Sequence, residues 1–133
     1  MNQYKMKPFV GKPIIEVTVP GSKSITNRAL LLAALSEGKS VLKGVLFSDD
    51  SRAFLDCLIK LGFKVGIDEG KHVVTIKGEN GNIPNNSAAI HVRSAGTAAR
   101  FMTVLLSVCG GDYVLDSSEQ MKKRPMQELI DSL

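Results

Sequence analysis

The chain has 133 residues, 44% of them hydrophobic and 23% charged, with a formal net charge of +4. That length suits one domain of about 100–200 residues with its own core, and the composition excludes an extended disordered chain. No apolar run approaches the roughly 20 residues of a membrane-spanning helix, and the two cysteines, Cys57 and Cys109, offer neither a disulfide framework nor a zinc spacing. The first ten residues lead into no apolar signal core, so the expected compartment is the cytoplasm. Aromatic residues are 5% and no Lys/Arg run stands out. The mild basic excess therefore fits anionic small molecules as well as it fits nucleic acid.

Residues 14–19 (IIEVTV) alternate and are β-branched, which predicts a strand, broken by 20–22 (PGS). A helix is expected over 24–36, stopped by Gly38, and then a strand over 41–47. Ser48, Asp49 and Asp50 form an N-cap cluster for a helix ending near Leu61, with Gly62 after it. Phe54, Leu55, Leu58, Ile59 and Leu61 are its apolar face. Strands are expected over 63–67 and 72–76, joined as a hairpin through 68–71. Residues 78–87 read as a loop and 89–92 as a strand. Ser94, Ala95 and Gly96 open another helix, running to about Cys109 and closed by Gly110 and Gly111. Residues 113–115 read as a strand and 116–124 as a polar loop. Pro125 is expected at the first position of a last helix. The order β-α-β-α-β-β, then β-α-β-α, predicts an α/β fold with a sheet whose helices lie on one face.

The sequence also matches itself under a shift that brings Arg28 onto Arg100. Ser22 then meets Ser94, Gly38 meets Gly110, Arg52 meets Arg124, Leu58 meets Ile130, and Leu61 meets Leu133, without a gap. These are helix starts, breakers and core positions, the features that two copies of one unit share. The expected organisation is a leading strand segment over 1–20, a first repeat unit over 21–84 and a second over 85–133. The second is incomplete, because Met126, Leu129, Ile130 and Leu133 keep helical spacing to the last residue. The expectation is a fragment of a longer protein.

Three segments carry candidate chemistry. Lys23, Ser24 and Arg28 lie where a strand-like segment turns into a helix, and unpaired N–H groups and the helix dipole attract anions there. Ser24 and Arg28 are four apart on one face, and a guanidinium grips phosphate or carboxylate in bidentate fashion. The segment is not a Walker A loop, since Ser22 stands where that motif needs Gly before the Lys. Ser94, Gly96, Thr97 and Arg100 occupy the equivalent place in the second unit; Gly96 lets a ligand approach the backbone, and Ser94 or Thr97 is placed to cap the helix. Lys122, Lys123 and Arg124 precede a helix, where the dipole disfavours cations and a bound anion would resolve the conflict. Each segment also reads as an ordinary helix start or loop with solvated cations. Asp49 and Asp50 read as helix caps, the cysteines as core filler, and His72 and His91 lack a third metal ligand. No general acid or base emerges.

Residues 20–35 (PGSKSITNRALLLAAL) resemble the N-terminal signature of the 5-enolpyruvylshikimate-3-phosphate synthase family. Residues 48–50 (SDD), 95–101 (AGTAARF) and 121–126 (MKKRPM) are similar to later segments of that family, in the same order. The resemblance runs from Val17 through the rest of the chain. It implies transfer of the enolpyruvyl group of phosphoenolpyruvate to the 5-hydroxyl of shikimate 3-phosphate, with no metal or organic cofactor. It implies two globes of repeated β-α-β-α-β-β units, an inside-out α/β barrel architecture, of which this chain holds an incomplete part. It also implies that Lys23 contacts both substrates, that Ser24 and Arg28 hold shikimate 3-phosphate, and that Gly96 and Arg124 line the phosphoenolpyruvate site, with Thr97 and Arg100 nearby. Two departures stand out: Ser94 replaces the family's usual Asn, and Arg93 stands where Gly is common. The family's acid–base residues, a carboxylate pair and a Lys, lie in the other globe. This chain is therefore expected to hold no catalytic residue and to need the remainder of the enzyme as partner, without nucleic acid or membrane.

Two other readings are open. A UDP-N-acetylglucosamine enolpyruvyl transferase has a related architecture but carries a Cys a few residues before its Arg-Pro, and 117–123 contains none. A non-catalytic anion- or RNA-binding module would show steeply salt-dependent RNA binding.

Overall fold

Three helices of this chain begin at a serine whose side chain caps them, Ser22, Ser48 and Ser118. The computed structural model describes residues 3–5, 7, 8, 10, 11, 14 and 16–133. In chain order the elements are α1 (Lys23–Leu35), β1 (Glu37–Lys43), α2 (Asp49–Lys60), β2 (Lys64–Asp68), β3 (Val73–Glu79), β4 (Ser87–His91), α3 (Gly96–Val108), β5 (Asp112–Asp116), α4 (Glu119–Lys122) and α5 (Gln127–Asp131). β3 is the centre of an antiparallel sheet of order β1-β3-β2. β4 and β5 pair in parallel, and α3 supplies the crossover that a parallel pair requires.

Along β3, Val74 and Ile76 are buried while Lys77 is exposed. This period-two alternation means that one sheet face is covered and the other is open. The covering layer is α1, which lies on β3, and α2, which reaches from β2 to β4. Leu30, Phe54, Leu58, Val74, Ile76 and Met102 are wholly buried between them. The Phe54 ring stands edge-on to Phe101, 6.3 Å between centroids, which joins α2 to α3. The expected α/β class is what the chain adopts, but in place of one sheet the strands divide into two, with α1 and α2 on one face of the larger.

Several boundaries differ from expectation for local reasons. Of the strand expected over 14–19, Ile15 lies outside the described residues, and 16–19 form no strand. Val17 and Val19 are 71% and 75% exposed, and a β-branched run needs a ladder partner to become a strand. β1 starts earlier than the expected 41–47. Gly38 is inside it with φ 85°, opposite Gly78, and is not the helix stop. The helix ends instead at Ser36, whose N–H donates to the Leu32 carbonyl. Gly78 permits this: a Cβ there would stand 2.1 Å from the Ser36 carbonyl oxygen, so only glycine lets β3 pass so close. The polar loop expected over 116–124 contains α4, capped by Ser118 and anchored by buried Met121. α5 starts two residues after Pro125 and has no buried residue, and Ile130 is half-exposed. Of the apolar spacing near the end of the chain, Met126 packs against the core and Leu129 is half-buried, while Ile130 and Leu133 stay exposed. No helix among them is long and apolar enough to cross a membrane.

Candidate anion-binding site

The start of α1 is aimed by backbone contact. A Cβ on Gly21 would lie 2.2 Å from the Gly44 carbonyl oxygen, so the PGS turn rests directly on the loop that follows β1. Both peptide groups of Leu46 in that loop are tied down. Its N–H donates to Thr26 Oγ1 (3.1 Å), and its carbonyl accepts from the Ser51 hydroxyl (2.6 Å). Thr26 and Ser51 are buried in the first turns of α1 and α2, so one loop residue sets the two helix starts side by side. Ser22 caps α1 through Ile25 N. Ser48 and Ser51 cap α2 reciprocally as a capping box, a device worth about 1 kcal/mol. Lys23, at the first position of α1, then meets Asp50 of α2 at 3.1 Å.

The start of α3 is strapped to the chain that follows β5. Val92 N donates to the Asp116 carbonyl, Ser118 N donates to the Arg93 carbonyl (both 2.9 Å), and the Ser94 and Ser118 hydroxyls lie 2.7 Å apart. Buried Met121 fixes the turn, and Arg124 N donates to its carbonyl. Arg124 and Arg100 are thereby brought to Gly96: a Cβ there would stand 3.0 Å from one guanidinium Nη1 and 3.1 Å from the other. Arg100 also donates to the Gly96 and Pro125 carbonyls. Arg28 does the same on α1, donating to the Ser24 carbonyl at 3.0 Å, with its guanidinium 5.7 Å from the Phe101 ring centroid. Arg28 and Phe101 are each the sixth residue of their helix, and this contact joins α1 to α3.

Between the starts of α2 and α3 lies a cleft of about 400 Å³ lined by Asp49, Asp50, Arg93, Ser94 and Ala95. Helix N-termini carry positive partial charge and unpaired N–H groups; those of α2 and α3 border this cleft, and the start of α1 is tied to it through the Lys23–Asp50 pair. The expected cap of α3 is not there. Ala95 is the N-cap, with no side-chain hydrogen bond, because the Ser94 hydroxyl is turned to Ser118 and Thr97 lies inside the helix. The first-turn amides of α3 are correspondingly free of side-chain caps. Arg93 has φ 53°, a conformation that glycine adopts without the penalty of about 1–2 kcal/mol paid by other residues; its guanidinium pairs with Asp56.

The candidate site draws on two groups, Lys23, Ser24 and Arg28 on α1 and Ser94, Gly96, Thr97, Arg100 and Arg124 around the start of α3; of these Ser94 lines the cleft, and Lys23 reaches its wall through Asp50. The site does not gather the whole Lys122-Lys123-Arg124 run. Lys122 is paired with Asp116 (3.2 Å) and Glu119 (3.0 Å). Hydrogen bonding to those carboxylates raises its pKa, and Asp116, bonded by Ser117 N and Lys122, is held below the usual carboxylate value. Asp49 and Asp50 are not the caps of α2, since Ser48 is. Sequence reasoning missed the placement of Asp50 against Lys23 and of Arg93 in the cleft wall; an acidic pair beside a helix start was the available signal. Cys57 is 1% exposed, and burial, reinforced by the Asp56 charge, pushes its thiol up to about 11. Neither it nor half-buried Cys109 faces the cleft. Among the described residues no group of three His, Cys, Asp or Glu is placed to hold a metal ion.

The family model described as EPSP synthase (3-phosphoshikimate 1-carboxyvinyltransferase) matches residues 12–133. The 3-phosphoshikimate 1-carboxyvinyltransferase of Trichormus variabilis is 44% identical over 124 residues, covering 92% of this chain and 29% of that protein. The protein of that name from Ralstonia pickettii is 44% identical over 117 residues, covering 88% of this chain and 27% of its own length. The solved EPSP synthase from Acinetobacter baumannii aligns with a TM-score of 0.80 at 28% identity, covering 88% of this chain and 27% of that one. The chain thus spans less than a third of the relatives it matches.

Proposed function

The chain belongs to the EPSP synthase family, and from that premise we propose that it forms the anion-gripping wall of an enolpyruvyl transferase site. There the enolpyruvyl group of phosphoenolpyruvate passes to the 5-hydroxyl of shikimate 3-phosphate and phosphate leaves. The observation that carries this reading is a cleft between the α2 and α3 starts whose Asp50 holds Lys23 of α1, with Arg100 and Arg124 drawn together at Gly96 in the first turn of α3. Ser24 and Arg28 hold shikimate 3-phosphate. Gly96 and Arg124 take phosphoenolpyruvate, and Lys23 lies between the two. Ser94, Thr97 and Arg100 support the Gly96 side. Asp50 holds Lys23 in place before substrates arrive. Both substrates are polyanions, and fixed cations in a partly desolvated cleft stabilise the charge that shifts during transfer. The reaction draws on no metal or organic cofactor. The groups that move protons are supplied from outside these 133 residues, by the same polypeptide or a second one, and the enzyme works in the cytoplasm.

A ligand bound only by the folded state raises the thermal midpoint. Shikimate 3-phosphate is expected to raise it for the parent chain and not for Lys23→Ala or Arg28→Ala. An equal rise in both variants would refute the site. With both substrates the chain alone is expected to release no phosphate. Sustained turnover would overturn the placement of the proton-moving groups elsewhere.

A further inference from the structure

The open face of the β1-β3-β2 sheet carries a charge pattern that the fold does not need. Lys39 of β1 pairs with Lys77 of β3, and Lys77 pairs with Lys64 of β2. Three ammonium groups thus stand in one row across three strands, all exposed. Like charges directly opposite one another destabilise a sheet. Lysines on edge strands are explained by protection against strand pairing, but β3 is the central strand and has no edge to protect. Among the described residues the row forms a single ion pair, Lys77 with Glu79 at 3.3 Å.

Beside the row is a depression of about 750 Å³ that the three lysines share with Ile59, Phe63 and Val65. Gly38 and Gly66 leave its floor open, and Ile59 is 47% exposed into solvent. Its volume falls within the roughly 300–1,000 Å³ of small-molecule sites. It lies at the C-terminal end of α2, whereas the cleft described above lies at the N-terminal end of that helix.

We propose that this face is a second binding site, for a small amphiphilic anion whose apolar body covers Ile59 and half-buried Val65 while its anionic groups meet Lys39, Lys64 and Lys77. The bound anion supplies the countercharge that the row lacks. Volume and charge count favour a small molecule over an extended acidic polymer, which would need a longer basic track.

The test is a titration of the ¹⁵N-labelled chain with 8-anilinonaphthalene-1-sulfonate, an apolar ring system bearing one sulfonate. The amide signals of Gly38 and Gly66 are expected to move saturably. The triple variant Lys39→Gln, Lys64→Gln, Lys77→Gln is expected to bind about tenfold more weakly, the combined effect of three partly exposed charge contacts. N-phenyl-1-naphthylamine, which has the same body without the sulfonate, is expected to bind the parent more weakly than the sulfonate does. Glycine signals that stay still, or an affinity unchanged in the triple variant, would overturn the proposal. The triple variant should also melt at or above the parent temperature, since like-charge neighbours have been removed. A marked fall would make the row structural and overturn the proposal as well.

Discussion

Replacing Gly21 by alanine puts a methyl group 2.2 Å from the Gly44 carbonyl oxygen and 3.3 Å from Leu46 N. A carbon–oxygen contact normally settles at about 3.3 Å or more, so the turn before α1 and the loop after β1 must part by about 1 Å. Both sides are backbone, and no side chain can swing away to relieve the clash. The separation stretches the Leu46 N to Thr26 Oγ1 bond, now 3.1 Å, beyond hydrogen-bonding reach. Losing that bond costs about 1 kcal/mol and overpacking a further 1–3 kcal/mol or so, together about 2–4 kcal/mol. For a chain of this size that is a fall in thermal midpoint of roughly 8–16 °C. Lys23 loses its register with Asp50 at the same time, so the rise in midpoint on adding shikimate 3-phosphate should shrink. Circular dichroism melts with and without ligand measure both effects. A Gly21→Ala chain that melts within about 2 °C of the parent would refute the claim that this contact seats the helix.

Other substitutions test separate parts of the structure. Asn27 is fully buried with neither amide atom hydrogen-bonded, and an unpaired buried polar group costs about 1–3 kcal/mol. Asn27→Leu should therefore raise the urea midpoint; a fall would mean that the amide has a partner. Lys122 is committed to Asp116 and Glu119, so Lys122→Gln should leave ligand-induced stabilisation intact, whereas Arg124→Gln should diminish the response to phosphoenolpyruvate; equal losses would contradict that division. Cys57 titrates near 9.0 when unfolded and at about 11 when folded. The folded state holds this proton more tightly, so stability attributable to it is complete below pH 9 and is lost between pH 9 and about 11. Urea midpoints across that window should slope less steeply in Cys57→Ala, and identical slopes would contradict the burial argument.

What could be read from sequence was what local chemistry decides. α2 is legible because Ser48 and Ser51 cap it and Gly62, at φ 94°, closes it. The β2–β3 hairpin is legible because its turn residues separate two apolar runs. Lys23, Arg28, Gly96 and Arg100 stand out as candidates because a cation or glycine at a helix start has a specific electrostatic meaning. What failed depended on distant partners. A strand over 14–19 has the right side chains, but no described strand lies beside it. Gly38 is a sound helix stop until Gly78, forty residues away, offers a closer route into the sheet. Asp50 looks like one more first-turn acid until Leu46 brings α1 and α2 together and turns it into the partner of Lys23. α4 escaped notice because a four-residue helix has no periodicity to detect.

Arg28 and Arg100 each reach back one turn and hydrogen-bond a main-chain carbonyl of their own helix, that of Ser24 in one case and Gly96 in the other. Since the acceptor is backbone, the hook does not depend on which side chain stands there, and two quite different residues serve equally well. The first position of the turn is thus free to diverge, hydroxyl on one helix and bare glycine on the other, while the guanidinium stays parked at the helix mouth. One architectural device thus holds a guanidinium in the same way on two helices: substitution at the acceptor position changes the surface beneath the cation, and the cation itself needs no re-engineering.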